Sequence, residues 1–125
     1  MHAMLDIETL GTTADAPVLS AAVVFFDPQT GNTFEQAKFE KVTWWANSPA
    51  FDEVIMSSLL RQAEVRIPWS FWEWRDVRTL RNFLFDKTKP NNKNAHDPLA
   101  DCLAQIELVH RFYVEQAMVS ALHEY

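Results

Sequence analysis

The chain has one cysteine, no long apolar run and no amino-terminal segment of the kind that directs secretion. Cys102 alone cannot form an internal disulfide, which is typical of a protein kept in a reducing compartment. No run approaches the roughly 20 apolar residues that are needed to span a bilayer. The first residues lack the basic region and the long apolar core of a signal peptide. These absences predict a cytoplasmic protein with no membrane partner.

Positive charge is also scarce, because 11 Lys and Arg residues face 17 Asp and Glu residues, for a formal net charge of -6. This balance argues mildly against a broad surface that coats nucleic acid, since such surfaces are usually basic. It does not exclude an enzyme that holds nucleic acid through metal ions and a few local cations. Much of the acidic excess could consist of metal ligands.

The rest of the composition is that of an ordinary globular protein. The chain has 125 residues, of which 48% are apolar and 22% charged, and this excludes a disordered chain. The length suffices for one domain with a proper core and is short for two. We therefore expect a single domain over residues 1–125.

Strand patterns dominate the first third of the chain. Residues 17–26 are rich in β-branched and aromatic side chains and predict a buried strand. The turn-forming residues 27–32 should bring residues 32–40 back antiparallel to it. A further short strand is predicted over Val42–Ala46, so a sheet of several strands is expected.

Two helices are predicted, and each begins with a proline at its first position. Ser48 as N-cap with Pro49 at N1 predicts a helix that ends near Ala63. Asp97 and Pro98 open the second in the same way. The apolar residues at helical spacing are Phe51, Val54, Ile55, Leu59 and Leu60 in the first helix, and Leu99, Cys102, Leu103, Ile106, Val109 and Tyr113 in the second. The apolar face of the second helix most simply forms core, although part of it could serve a homodimer.

The segment between the two helices is less regular. Residues 65–74 are rich in proline and tryptophan and are expected to be irregular. Residues 75–84 fit either a short strand over Asp76–Thr79 or the start of a helix. Lys87–Asn94 reads as a polar loop. The order of elements describes an α/β or α+β domain with a mixed sheet.

Two carboxylates stand one residue apart near the amino terminus, in the sequence Leu5-Asp6-Ile7-Glu8. On a strand, alternation places Asp6 and Glu8 on the same face. Their like charges repel there, and a divalent cation would remove that repulsion. In isolation such a pair is more often a solvated strand edge, so the interpretation depends on further ligands elsewhere in the chain.

Two later carboxylates share a placement one turn inside a predicted helix. Asp52 and Asp101 both fall at N4 behind an N1 proline, where the helix dipole favours an anion by about 0.3–1 kcal/mol. His96 lies at N′ of the second helix, and side chains at N′ and N4 usually meet. We therefore expect His96 and Asp101 to lie close together on one side of the helix entry, with the imidazole free to face a cleft. The alternatives are an ordinary helix-start acid for Asp52 and a simple packing residue for His96.

These motifs, in this order, resemble those of the DEDDh exonucleases, which are metal-dependent 3'–5' exonucleases with a ribonuclease-H-like fold. Further segments are similar to the branch of the phage DexA-like and mycobacterial exoribonuclease-like proteins. They are Trp45–Asp52, Pro68–Trp72, Arg75–Leu80 and His96–Asp101. The resemblance implies an α/β fold with a ribonuclease-H-like mixed sheet flanked by helices.

The resemblance also implies roles for individual residues. The four carboxylates of Asp6, Glu8, Asp52 and Asp101 would hold two Mg²⁺ or Mn²⁺ ions, hard cations that prefer oxygen ligands. His96 would take the proton from the attacking water, for which an imidazole is suited at neutral pH. By analogy with the family, Thr9, Leu10 and Asn47 would contact the terminal nucleotide.

The implied function is hydrolysis of phosphodiester bonds from a 3' end, with release of nucleoside monophosphates. The partners would be DNA or RNA 3' ends, single-stranded or overhanging, with DNA favoured, in the cytoplasm of a bacterium or of a phage-infected host. One alternative is an exoribonuclease of the same fold. The other is a non-catalytic nucleic-acid-binding or interaction module on a reduced nuclease fold.

The segment between the first and second motifs departs from the family pattern. The family usually has a longer stretch there, with a helix packed on the sheet, whereas here Phe39–Trp45 leads almost directly into the strand before Asp52. Either that helix is reduced to a piece near Glu35–Lys41, or an internal segment has been lost. The shortened segment favours the non-catalytic alternative, and the complete acidic set opposes it.

The remaining acidic, histidine and tryptophan residues have simpler interpretations. Asp76 could compete with Asp52 as the middle ligand, but Arg75 and Arg78 flank it and favour a structural ion pair. His2, His110 and His123 have no partner pattern. The five tryptophans are best explained as core anchors. Trp72 or Trp74, in the irregular segment, are where contact with a base is most expected.

Overall fold

The computed structural model describes residues 1–35 and 41–123. Within these residues five strands form one sheet, namely β1 (His2–Thr9), β2 (Val18–Phe26), β3 (Thr33–Phe34), β4 (Thr43–Ala46) and β5 (Trp74–Asp76). The same ranges contain three α-helices, α1 (Pro49–Gln62), α2 (Val77–Arg81) and α3 (Pro98–His123), and one 3₁₀ turn over Phe71–Glu73. No helix in the described part of the chain is long and apolar enough to cross a membrane.

The sheet is mixed, in the order β3-β2-β1-β4-β5. β2 pairs antiparallel with β1 and with β3, whereas β1, β4 and β5 run parallel. Because parallel strands end at the same edge, the carboxyl ends of β1, β4 and β5 lie side by side. The α/β class and the mixed sheet flanked by helices are as predicted.

The hydrophobic core lies on both faces of the sheet, as alternation along β1 requires. Met4 belongs to the face covered by α3 and α2, while Leu5 and Ile7 belong to the opposite face, against α1. The larger core cluster contains Met4, Val24, Phe26, Trp45, Val77, Leu80, Leu84, Cys102, Ile106, Leu108 and Val109. Cys102 is a free, buried thiol within it.

The turn after β2 has the predicted chemistry. Gly31 has a positive φ of 77°, a backbone conformation that costs glycine little. Its N–H donates to the Asp27 carbonyl at 2.8 Å, and the Asp27 side chain accepts from Gln29 N–H at 2.9 Å. β3 then pairs back on β2 as predicted. Residues 36–40, which include most of the expected Glu35–Lys41 piece, lie outside the described residues.

The residues after the irregular segment form both of the structures that the sequence left open. β5 covers Trp74–Asp76 and α2 follows at once from Val77, so the strand proposed over Asp76–Thr79 begins and ends earlier than expected. Asp76 marks the change, because its carboxylate accepts a hydrogen bond from Arg78 N–H at 2.9 Å and thereby caps α2. The change from strand to helix is therefore made by one capping residue.

The apolar positions at helical spacing on the two long helices are only partly buried. Val54 and Leu59 on α1 are exposed, while Ile55, Asp52 and Ser57 are buried. On α3, Leu99 and Leu103 are exposed, and Leu108 joins the buried side. Helical periodicity marks which residues are apolar, but the angle at which a helix meets the sheet decides which of them are covered.

Two histidines have partners that the sequence did not indicate. His110 Nδ1 lies 2.9 Å from the Pro28 carbonyl oxygen. His2 Nδ1 accepts a hydrogen bond from Trp45 Nε1 at 2.8 Å, and its ring stacks on that indole. Because the indole can only donate, His2 is held in its neutral form. Burial lowers the pKa of His2 to about 4.

The half-buried His2 is expected to make the fold less stable in acid. A histidine whose pKa is lower in the folded than in the unfolded chain binds more protons when unfolded. The free energy of unfolding therefore decreases as pH falls from about 6.5 to 4. His2→Gln keeps an acceptor for Trp45 and should remove on the order of 1 kcal/mol of this pH dependence, allowing for partial exposure. Chemical unfolding of both chains at pH 4.5 and 7 measures it, with the exposed His123→Gln as control. Parallel pH profiles for wild type and His2→Gln would contradict the expectation.

Candidate metal centre

The candidate site lies at the edge where the parallel strands end. Asp6 and Glu8 are on the last residues of β1, and Asn47 directly follows β4. The register between β1 and β4 pairs Met4 with Trp45, which brings Asp6 to the level of Asn47. The first turn of α3 carries Asp101 to the same edge.

Three carboxylates meet there. One oxygen from each of Asp6, Glu8 and Asp101 lies within 4.8 Å of the others. Asp6 is buried, and its Oδ2 has no hydrogen-bond partner among the described residues. Burial, followed by the charges of Asp101 and Glu8, raises the pKa of Asp6 to about 6.

This donor set fits a hard divalent cation. Like charges packed this closely repel each other, and a buried carboxylate oxygen without a partner is costly. Oxygen ligands in such a group are what Mg²⁺, Mn²⁺ and Ca²⁺ prefer. Asp6, Glu8 and Asp101 could therefore hold a metal ion, and the placement of Asp6 and Glu8 on one strand face is as predicted.

Asp101 is presented by the start of α3 and by the loop before it. Asp97 caps the helix, with its carboxylate accepting from Ala100 N–H at 3.0 Å. Asn92 Nδ2 donates to Asp101 Oδ1 at 2.7 Å, and His96 N–H donates to Asp101 Oδ2 at 3.1 Å. Both oxygens of Asp101 are thus oriented by hydrogen bonds.

His96 lies at this edge beside Asp101, as expected. Its backbone, rather than its imidazole, contacts Asp101. The residue has a positive φ of 72°, and its ring turns toward Glu8, with Nδ1 at 4.0 Å from Glu8 Oε1. The His96 side chain is 88% exposed. The left-handed backbone turns the side chain outward, so the two residues are close through the His96 backbone and the imidazole is left free.

Asp52 lies near the three carboxylates without joining them. It is buried at 3% exposure on α1, which packs against the Leu5 and Ile7 face of β1. It is not a member of the 4.8 Å group. Burial first and the charge of Asp6 second raise the pKa of Asp52 to about 7. The structure therefore brings three of the four predicted ligands into one group and couples the fourth to them electrostatically.

Ser48 precedes α1 at the N-cap position but does not cap it through its side chain. Its φ is 82°, and its N–H donates to Asp76 Oδ1 at 3.0 Å. Asp76 also accepts from Thr79 Oγ1 at 2.9 Å. The expected ion pair of Asp76 with Arg75 or Arg78 is thus replaced by hydrogen bonds, and its oxygens are engaged away from the three carboxylates.

Asp52→Asn is expected to stabilise the metal-free chain at neutral pH. A carboxyl group whose folded pKa is raised above 3.8 binds more protons when folded, so it destabilises the fold increasingly as pH rises from about 4 to 7. The neutral, isosteric amide should raise the free energy of unfolding by about 2 kcal/mol at pH 8, and by less near pH 4.5. Denaturant unfolding in EDTA measures this, with Asp27→Asn as control. A loss of stability at pH 8 would contradict it.

The three predicted substrate residues lie at the same end of the sheet. Thr9 Oγ1 donates to the Gly11 carbonyl at 2.5 Å, which shapes the bend that follows β1. Leu10 is 70% exposed on that bend. Asn47 is half-buried after β4. They border the three carboxylates, and their contact with a nucleotide stays a prediction.

The tryptophans are placed differently from the expected base contact. Trp74 packs against Trp44 and Trp69, with ring centroids 5.6 and 5.2 Å away. Trp72 is exposed, but it precedes β5, whose first residue pairs with the first half of β4. It therefore lies toward the amino ends of the parallel strands, opposite the edge that carries Asp6. Neither residue is positioned to contact a base held at Asp6.

The sequence missed two polar residues that touch the site. Asn92 contacts Asp101 from the preceding loop, where no local pattern marks it. Gln105 Nε2 donates to Asp6 Oδ1 at 3.3 Å. Gln105 stands four residues after Asp101 on one helix, so its position on the same helix face was available as a signal.

Comparison with known proteins identifies one family. The family model described as 3'-5' exoribonuclease Rv2179c-like domain matches residues 1–39 and 33–113. The two matched segments overlap at residues 33–39, which lie between the first motif and Asp52, where the sequence departs from the family pattern. No curated protein and no solved structure matches the chain. Because the two segments together span most of its length, the chain belongs to the family of the 3'-5' exoribonuclease Rv2179c-like domain.

Proposed function

We propose that this protein is a metal-dependent 3'–5' exonuclease that hydrolyses phosphodiester bonds at single-stranded or overhanging 3' ends. The observation that carries the proposal is the group of three carboxylates, Asp6, Glu8 and Asp101, in a chain of an exoribonuclease family. The buried and unpartnered Oδ2 of Asp6 is the atom most in need of a cation. A nuclease accounts for both the acidic cluster and the family.

The four carboxylates have distinct places in this proposal. Asp6, Glu8 and Asp101 would hold a divalent cation, Mg²⁺ or Mn²⁺, and Asp52, whose charge interacts with that of Asp6, is proposed as a fourth ligand. When bound, two such ions generate hydroxide from water near neutral pH and stabilise the charge on the leaving oxygen. The three-carboxylate group and the nearby Asp52 support this assignment.

His96 is proposed as the general base. Its exposed ring stands beside Glu8, where water and the substrate phosphate have free access. The backbone N–H bond to Asp101 fixes the residue next to the carboxylates without using either ring nitrogen. The imidazole can therefore accept the proton of the attacking water, which typically contributes 10²–10⁴-fold to a rate.

The terminal nucleotide is proposed to lie against Thr9, Leu10 and Asn47. The exposed Leu10 side chain offers an apolar surface for a base or a sugar, and the Asn47 amide can hydrogen-bond to either. The net charge of -6 fits binding of one chain end better than coating of a long duplex. A ribonuclease-H-like fold for a single domain over residues 1–125 is part of the same proposal, and so is the branch of the family.

The substrate is tested by a degradation assay on 5'-labelled oligonucleotides. RNA comes first, because the family description names exoribonuclease, and DNA of the same sequence is the second arm, since DNA preference stays a prediction. Stepwise shortening with Mg²⁺ or Mn²⁺, release of nucleoside monophosphates and full arrest by EDTA are expected. Binding of the oligonucleotides without shortening would overturn the proposal in favour of a non-catalytic module.

A further inference from the structure

Gln105 makes a contact with the metal centre that links two separate elements. It lies on α3, one turn beyond Asp101, and its Nε2 donates to Asp6 Oδ1 on β1 at 3.3 Å. Asp6 is buried, and among the described residues Gln105 is the side chain that donates a hydrogen bond to it. Gln105 thus connects the two chain segments that supply the candidate ligands.

The orientation of the Gln105 amide follows from its partner. With the amide turned over, its oxygen would face the Asp6 oxygen, and two acceptors would oppose each other. The observed orientation leaves Gln105 Oε1 buried without a hydrogen-bond partner among the described residues. Burying an amide oxygen in this way is unfavourable for the fold alone, so a role in the site is the better explanation.

The hydrogen bond selects one oxygen of Asp6. Oδ1 is held by Gln105, and Oδ2 is the oxygen without a hydrogen-bond partner among the described residues. Asp101 is likewise oriented by a side-chain amide, that of Asn92, while its other oxygen accepts from His96 N–H. Groups that hydrogen-bond to metal ligands fix their orientation and raise metal affinity.

We propose that Gln105 is a positioning residue, which holds the Asp6 carboxylate in the orientation that binds a divalent cation. This inference rests on the proposed function for the identity of the site. It does not depend on nuclease activity for its test, because cation binding can be measured without substrate. The unpartnered Oε1 of Gln105 is a further acceptor beside the site. A water molecule in the outer shell of a cation could donate a hydrogen bond to it.

The test uses the full chain with two substitutions. Gln105→Met has nearly the same length and removes the donor, while Gln105→Asn keeps the amide but is too short by one methylene to reach Asp6. Gln116→Met, at an exposed position of the same helix, is the matched control. Circular dichroism establishes that each chain is folded, and calorimetric titration with Mn²⁺ alone gives its affinity.

Both Gln105 variants are expected to bind Mn²⁺ about 10-fold or more weakly, and Gln116→Met to match wild type. In the degradation assay, the Mg²⁺ concentration for half-maximal rate should rise by a similar factor, with most of the rate restored at saturating Mg²⁺. A purely structural role would instead lower the rate at every Mg²⁺ concentration.

The outcomes separate the two proposals. Unchanged Mn²⁺ affinity in both folded Gln105 variants overturns the positioning role, whatever the activity. A wild-type chain that binds Mn²⁺ but degrades no oligonucleotide overturns the proposed function, and the calorimetric comparison still decides the role of Gln105. A wild-type chain that binds no Mn²⁺ overturns both.

Discussion

Asp6→Asn is expected to lower the rate of 3' degradation by about 10²–10³-fold, since each factor of ten corresponds to about 1.4 kcal/mol of transition-state stabilisation and a bound metal supplies several. The amide oxygen can still accept from Gln105 Nε2, so the chain should fold. Its NH₂ group takes the place of a carboxylate oxygen and can neither carry the charge nor bind the cation. The Mn²⁺ affinity of the substrate-free chain should fall with the rate.

The control for Asp6→Asn is the same chemical change at the other end of the sheet. Asp27 follows Phe26, which pairs with His2, so it lies about five strand residues from Asp6, or roughly 17 Å at 3.3 Å per residue. Its side chain accepts from Gln29 N–H, and an asparagine can accept equally. Asp27→Asn should keep both rate and Mn²⁺ affinity. Wild-type activity in Asp6→Asn would remove Asp6 from the machinery.

His96→Asn is expected to reduce the rate at saturating Mg²⁺ by about 100-fold or more, because a general base contributes typically 10²–10⁴-fold. Asparagine tolerates the positive φ that this position requires. The N–H bond to Asp101 belongs to the backbone and survives the substitution. Mn²⁺ affinity should therefore stay close to that of wild type, in contrast to Asp6→Asn.

The pair of measurements distinguishes a base from a ligand. Single-turnover rates give the loss in the chemical step, and calorimetry gives cation affinity for the same preparations. His123→Asn, at the exposed end of α3, serves as the control and should match wild type in both. If His96→Asn retains the wild-type rate, another group takes the proton. If it loses Mn²⁺ affinity in proportion to rate, His96 acts through the cation site.

Local structure followed closely from local sequence. The Asp27-to-Asn32 turn, the N1 prolines and the run of β-branched residues each predicted an element that the structure contains. These features depend on interactions within a few residues, which the sequence displays directly. The exposure of Val54 and of Leu103 did not follow, because burial depends on how each helix is set against the sheet.

In the candidate site as well, features that depend on nearby residues followed from the sequence, and contacts between distant segments did not. That Asp6 and Glu8 share a strand face is a consequence of alternation, and the N4 position of Asp101 is a consequence of the Asp97 cap. The two ends of the chain meet only because β1 and β4 are parallel and α3 packs on β1. Which oxygen of Asp6 is held, and which is left open, depends on Gln105, 99 residues away.

The sequence by itself thus determined which carboxylates are candidates and which strand and helix carry them, because periodicity and capping act over a few residues. Tertiary structure alone decided the rest. It left Asp52 outside the three-carboxylate group, turned the His96 ring toward Glu8, and recruited Asn92 and Gln105. These outcomes depend on the relative positions of elements that are distant in the chain, which local patterns do not encode.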